Sequence, residues 1–307
     1  MTVTHKKAAQ ILGAWNLEHE PITDIYCEGT GNKSTSACYV GDQFVLQYTG
    51  DFGKLKNHIA VSKAIEGVGL LAACPVLTAD GQEYIRDGEL YFYVTKRLEG
   101  KQMVSGSFCD GDAVSNARFV GEIIGQLHLA LSKIKTCVSE ADLLGTVRDW
   151  ALPKAKQALG LAEDFCREYL ATLEALCPQL SRQIIHRDPH PGNIICAEER
   201  WGFIDFDLAE RNARIYDPCY AATAVLSEGF EKDDGLWLEL YRSIFQGYDS
   251  VAHLTEAERK AVPYVILANQ FVYVAWFAGQ DQYPELFETN KNMTRWLINR
   301  FEELKDM

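Results

Sequence analysis

The chain of 307 residues has no excess of positive charge: 30 Lys and Arg stand against 43 Asp and Glu, a formal net charge of −13. Nucleic acid or an anionic membrane surface would demand a basic face, so neither is expected as a partner. Acidity of this size reads first as a means of solubility, and second as a bias toward a cationic substrate. Long apolar runs are missing too. The most apolar stretch, Val262–Phe277, is interrupted by Pro263, Asn269 and Gln270 and reads as a buried helix. His5-Lys6-Lys7 followed by Ala8–Trp15 is too short and too interrupted for a signal peptide. The nine cysteines include no Cys-x-x-Cys pair, and an odd number cannot all pair internally. Cys38, Cys166 and Cys196 sit in apolar contexts and read as small buried hydrophobes, so a reducing, cytoplasmic setting is expected. No internal repeat, low-complexity tract or linker divides the chain, which is long enough for a proper core.

What is present falls into a strand-rich first part and a helical remainder. An amphipathic helix over Lys6–Leu17 precedes strand-like runs at Ile22–Cys27, Thr35–Val40 and Gln43–Tyr48. Glu28–Ser34 joins the first two runs; its Gly29 and Gly31 let a backbone approach a phosphate closely, with Asn32 and Lys33 beside them. A helix over Leu55–Glu66 follows, and then Pro75–Leu77, Glu83–Ile85 and Leu90–Thr95 complete an expected five-stranded antiparallel sheet. From Asp110 the pattern is helical. Ala113–Leu131 carries Phe119, Ile123, Ile124, Leu127 and Leu131 on one stripe, with His128 beside it as a packing residue. Leu152–Leu176 reads as one long helix, Asp217–Ser227 and Gly235–Phe245 as two more, and Thr255-Glu-Ala-Glu258 as a capping box opening another.

The densest signal lies between Ile184 and Asp207. Gln183–Ile185 and Ile194–Cys196 read as short buried strands with Trp201–Phe206 as their partner. Pro189 and Pro191 stiffen the loop between them and exclude a helix, which also removes a zinc reading of His186 and His190. Asp188 and Asn193 stand five apart, and Asp205 follows twelve after Asn193 at a strand end. One base and two oxygen ligands suit Mg²⁺, which takes one or two carboxylates together with phosphate oxygens and water. The order His-Arg-Asp-x-x-x-x-Asn is that of a kinase catalytic loop.

On these residues the chain resembles a family. His186-Arg-Asp-Pro-His-Pro-Gly-Asn193, then Phe203-Ile-Asp-Phe-Asp207 and Asp217-Pro-Cys-Tyr-Ala221, are similar to the aminoglycoside phosphotransferase and choline kinase superfamily. The resemblance implies an α+β, two-lobed protein-kinase-like fold, with a sheet lobe over 1–96, a helical lobe over 97–307 and a hinge at about 96–100. It implies an ATP-dependent transfer, with GTP not excluded, to the hydroxyl of a small acceptor: an aminoglycoside, a sugar, or an amino alcohol such as choline or homoserine. Asp188 would be the base and Asn193 and Asp205 the Mg²⁺ ligands. His186 and Asp217 would support the loop, and the hinge around Lys96 and Leu98 would meet the nucleotide base. Oligomeric state is left open.

Two departures stand out. Arg187 occupies a position where that family more often has Gly. The third strand reads Phe44-Val-Leu-Gln-Tyr48, with Gln47 where a phosphate-binding Lys is expected, and the following helix offers His58 or Ser62 where a Glu would pair with it. Leu46-Gln47, with Asn32 in the phosphate loop, is similar to some N-acetylhexosamine kinases of this fold, so the missing Lys does not imply a silent site. Lys33 is the nearest substitute cation in sequence and Lys54 the next.

Overall fold

The structure is a computed structural model that describes residues 3–26, 33–103, 112–134, 138–197, 200–227, 230 and 235–306. Two compact units arise from the chain, residues 1–101 with 195–207, and residues 102–194 with 208–307. Residues 195–207 join the first unit because Trp201–Phe203 runs parallel to Leu71–Ala72, with Gly202 opposite Leu71 and Phe203 opposite Ala72. Gly202 permits this, since a Cβ there would stand 1.9 Å from the Leu71 carbonyl oxygen.

The sheet of the first unit runs in the order Ile22–Tyr26, Lys33–Val40, Phe44–Thr49, Leu90–Lys96, Pro75–Val76, all neighbours antiparallel. Among the described residues all six strand-like runs join this sheet, against the five strands expected. Leu90–Lys96 is long enough to carry Ile85–Asp87 along its first half and Pro75–Val76 along its second. Inward residues Val40, Leu46 and Val94 are fully buried against Leu12, Ile11 and Trp15 of the N-terminal helix. Each such side chain contributes about 1.5–3 kcal/mol relative to exposure. Trp15 adds a bond from its indole Nε1 to the Val76 carbonyl, 2.8 Å. This helix covers only His5–Leu12, because a 3₁₀ turn at Gly13–Trp15 and a left-handed Asn16 end it. The next helix, Phe52–Glu66, starts earlier than the apolar pattern suggests, since Asp51 caps it by accepting from the backbone N–H of Gly53 and Lys54.

The second unit is mainly helical. The Ala113–Leu131 helix lies where its stripe predicts. It packs on Leu236–Val251 at glycines: a Cβ on Gly121 would sit 1.9 Å from the Ile244 carbonyl oxygen, and one on Gly247 2.0 Å from that of Arg118. The single helix expected over Leu152–Leu176 is broken into Leu152–Leu159 and Glu163–Leu176 at Gly160, whose φ of +69° is a left-handed cap. Thr255 and Glu258 form the capping box of Glu256–Phe277. No helix among the described residues is long and apolar enough to cross a membrane.

Around the dense motif Ile194–Cys196 neighbours Trp201–Phe203 as expected, but the pairing of the other strand differs. Arg182–Ile185 pairs antiparallel with Glu210–Ala213 and not with Trp201–Phe206. Asp205 takes a φ of +64° and Phe206–Leu208 forms a 3₁₀ turn, so the strand within the apolar run is only Trp201–Phe203, and Glu210–Ala213 follows as a separate one.

Candidate active site

In the second unit, the strand Arg182–Ile185 delivers the chain to a loop held by one buried carboxylate. Asp217, in the first turn of the Tyr216–Leu226 helix, accepts from the backbone N–H of His186 at 2.8 Å through Oδ2 and of Arg187 at 2.9 Å through Oδ1. Its Oδ2 is also 2.9 Å from His128 Nε2. A carboxylate only accepts, so this Nε2 carries the hydrogen, and His128 Nδ1 accepts a hydrogen bond from the Tyr248 hydroxyl at 2.8 Å. His128 thus packs, as its place beside the helical stripe suggests, and it also completes the support of Asp217. The His128 and Asp217 side chains are almost wholly buried.

Arg187 has a φ of +79°, a conformation that disfavours a side chain by on the order of 1–3 kcal/mol. Compensation comes from its side chain, which lies 4.3 Å over the Tyr216 ring, donates to the Tyr216 hydroxyl, and pairs with Glu210 at 2.8 Å. The next residue, Asp188, is half-buried. Asn193 Nδ2 donates to the Asp188 carbonyl at 2.9 Å and stands 3.4 Å from its Oδ2. The amide nitrogen of Asn193 is therefore directed at Asp188, and its amide oxygen is the half that suits a hard cation. His190 Nε2 lies 3.9 Å from Asp188 Oδ2. Tyr220, one helical turn after Asp217, donates its hydroxyl to Asp188 Oδ1 and is hydrogen-bonded to Tyr273. The sequence reading assigns no role to either tyrosine. The spacing of three from Asp217 to Tyr220 is the one signal that places both on the same helix face.

In the first unit, Asp205 is exposed, Phe206 is fully buried and Asp207 is half-buried. Burial pushes the Asp207 carboxyl above the usual range, the charge of Asp205 adds to this, and Lys54 opposes it. A buried carboxylate raised by a neighbouring negative charge is relieved by a divalent cation, so Asp207 beside Asp205 fits a hard metal ion. Among the described residues there is no cluster of three or more His, Cys, Asp or Glu set to hold a metal. Mg²⁺ does not need one, because phosphate oxygens and water complete its shell.

The remaining expected positions are scattered through the first unit. Gln47, half-buried, stands opposite Tyr93 across the strands. His58 is 2% exposed, donates from Nε2 to the Ala73 carbonyl at 3.1 Å, and its ring lies 5.1 Å from Tyr93. Burial pushes its imidazole down from the usual value, so it is neutral at pH 7. The Lys33 ammonium is paired at 2.8 Å with Asp24, which also meets His5 Nε2 at 2.7 Å. Lys96 is exposed at the end of its strand and Leu98 is half-buried. Gly29, Gly31 and Asn32 lie outside the described residues.

A stiff loop presenting a carboxylate, in the second unit, and a carboxylate pair just past a strand, in the first, are each features of phosphoryl-transfer enzymes. Residues 44–254 match the model of the phosphotransferase enzyme family, and the chain belongs to that family. It is a small-molecule kinase acting on a hydroxyl group, with a protein-kinase-like α+β fold. Among curated relatives, a homoserine kinase of Granulibacter bethesdensis is 25% identical over 314 aligned positions, covering 95% of this chain and 93% of that protein. Among solved structures, an aminoglycoside phosphotransferase from Alicyclobacillus acidocaldarius superposes with a TM-score of 0.73 at 16% identity, covering 97% of this chain and 95% of that one. An amicoumacin kinase in complex with AMP-PNP and Ca²⁺ superposes with a TM-score of 0.71 at 14% identity, covering 96% and 92%.

Proposed function

We propose that this kinase transfers the γ-phosphate of ATP to the hydroxyl of homoserine or a closely similar small amino alcohol. The observation that carries the acceptor class is the likeness to homoserine kinases along nearly the whole chain, 95% of it in the Granulibacter protein. Asp188 takes the hydroxyl proton as the phosphoryl group is transferred, which its held backbone and half-buried carboxylate support. Asp205 and Asn193 are the Mg²⁺ ligands, with Asp207 as a further carboxylate. When bound, Mg²⁺ neutralises part of the phosphate charge and orients the γ-phosphate. Lys54, whose charge acts on Asp207, supplies a positive charge in the first unit where Gln47 cannot. The backbone of residues 96–100 meets the nucleotide base.

One observation favours a different acceptor. Leu46-Gln47 is similar to the strand of some N-acetylhexosamine kinases, which points to a sugar. The test is ADP or GDP formation from Mg²⁺-ATP or Mg²⁺-GTP over homoserine, choline, N-acetylhexosamines and aminoglycosides. Homoserine should give the highest kcat/KM, and chelation of the divalent cation should abolish turnover. Turnover on a sugar or aminoglycoside at least tenfold above that on homoserine would replace the proposed acceptor.

A further inference from the structure

We propose that Tyr220 and Tyr273 are positioning residues for the Asp188 carboxylate, linked as a hydroxyl relay that occupies Oδ1 and leaves Oδ2 for the acceptor. The inference rests on the reading of Asp188 as the base. Pro189 and the Asn193 bond fix the backbone of Asp188 but leave its carboxylate free to turn about two side-chain torsions. Proton transfer demands an oxygen within about 3.2 Å of the acceptor hydroxyl, so that freedom has to be removed. Tyr220 removes it by donating to Oδ1. At Oδ2 the neighbours are more distant, Asn193 Nδ2 at 3.4 Å and His190 Nε2 at 3.9 Å.

A phenol has one proton, and that of Tyr220 is spent on Asp188. With its proton so used, the Tyr220 oxygen can only accept from the neighbouring Tyr273 hydroxyl. Their rings lie 5.7 Å apart, with Tyr220 buried. Burial, then the charges of Tyr273 and Asp188, hold the Tyr220 phenol well above its usual pKa, so it stays a donor. The same helix thus grips the loop twice. Asp217 holds the backbone N–H of His186 and Arg187, and Tyr220, three residues later, holds the carboxylate of Asp188.

The test is a kinetic cycle. Tyr220→Phe keeps the ring and its packing, so the fold is retained. Its kcat should drop about 10- to 100-fold, the range for one hydrogen bond to a charged group, while the KM for ATP stays within twofold. In an Asp188→Asn background the same substitution should change kcat by less than twofold, since there is no base left to position. Tyr273→Phe should give a smaller loss, and none on top of Tyr220→Phe. Wild-type kcat in Tyr220→Phe, or losses that multiply with those of Asp188→Asn, would overturn the relay and leave Tyr220 as a packing residue. If Asp188→Asn itself kept full turnover, the assignment of the base would fall and the relay with it. An inactive Asp188→Asn beside a fully active Tyr220→Phe would remove the relay alone.

Discussion

Replacing Asp217 by Asn keeps the shape of the side chain and exchanges one oxygen for an amide nitrogen. Its two oxygens accept three hydrogen bonds, from the N–H of His186 and His128 Nε2 at Oδ2 and from the N–H of Arg187 at Oδ1. An Asn does least harm with its oxygen at the Oδ2 position, which leaves its NH₂ facing the Arg187 N–H, donor against donor. An unsatisfied buried donor costs about 1–3 kcal/mol, and the two surviving bonds lose the charge that roughly doubles their strength. Together these come to about 2–4 kcal/mol. At about 2–4 °C per kcal/mol for a chain of this size, Tm should fall by roughly 4–16 °C. The loop that loses its anchor presents Asp188, so kcat should fall as well, by at least about tenfold below the melting range. Differential scanning calorimetry and steady-state kinetics at 25 °C read the two effects separately. A Tm within 2 °C of wild type together with kcat within twofold would refute the view that Asp217 organises the loop.

The close approach of Ala113–Leu131 and Leu236–Val251 gives a second expectation. Gly247→Ala places a Cβ 2.0 Å from the Arg118 carbonyl oxygen, backbone against backbone, so the helices must part, at about 3 kcal/mol or more by chemical denaturation. Gly13→Ala, with nothing within 4 Å of its Cβ, should stay within about 1 kcal/mol of wild type; equal effects in both would contradict the packing argument. Lys54→Ala should raise the KM for ATP several-fold, whereas Lys33→Ala, whose ammonium is already paired with Asp24, should leave it within twofold, and the reverse order would reassign the phosphate cation. Glu258 gives a pH dependence. Burial would raise its carboxyl, but the two bonds from Arg214 at 2.7 Å and the Thr255 N–H outweigh burial and hold it below its usual 4.5. A depressed folded-state pKa contributes stability that is present above the unfolded value and lost as pH falls through the folded one. Tm of the wild type should therefore drop below about pH 4.5, and Glu258→Gln should flatten part of that slope; parallel profiles for the two would show that Glu258 does not contribute.

Local signals in the sequence were those enforced by local physics. The capping box at Thr255 and Glu258 and the stripe of Ala113–Leu131 each depend on residues within a few positions, and each is realised. The helix over Leu152–Leu176 misread because an amphipathic stripe continues in phase across Gly160, and only a left-handed φ reveals the break. Strand partners could not be read from apolar runs alone. Nothing in Ile204-Asp205-Phe206 announces the positive φ that separates Trp201–Phe203 from Glu210–Ala213. At the candidate site, the loop residues were visible because their spacing is local. His128 and Tyr248 were not visible as its support, lying 89 residues from Asp217 and 120 residues from His128 respectively. Tyr273 sits in the apolar stretch Val262–Phe277, which reads as buried helix and hides a polar role.

The two departures in the first unit, Gln47 for Lys and His58 for Glu, make one physical change. Residues directly opposite across antiparallel strands share a face, so Gln47 lies on the face of Tyr93, and Tyr93 in turn meets the His58 ring at 5.1 Å. His58 is 2% exposed, in a place where a lone carboxylate would be an uncompensated buried charge costing several kcal/mol. With no Lys at 47 to pair with, a Glu at 58 would be an uncompensated charge, whereas a neutral imidazole that donates to the Ala73 carbonyl leaves only its Nδ1 without a hydrogen bond. Loss of the cation thus permits, and even requires, loss of the anion. The helix Phe52–Glu66 then meets the sheet through apolar packing, Leu55, Ile59 and Tyr93 forming a buried cluster, with no ion pair between positions 47 and 58. Restoring one charge alone is the unfavourable step. Gln47→Lys with His58→Glu should be better tolerated than His58→Glu by itself, and a double-mutant cycle on thermal stability should give a favourable coupling of about 1 kcal/mol or more. Zero coupling would show that the two positions do not meet and that the substitutions are independent.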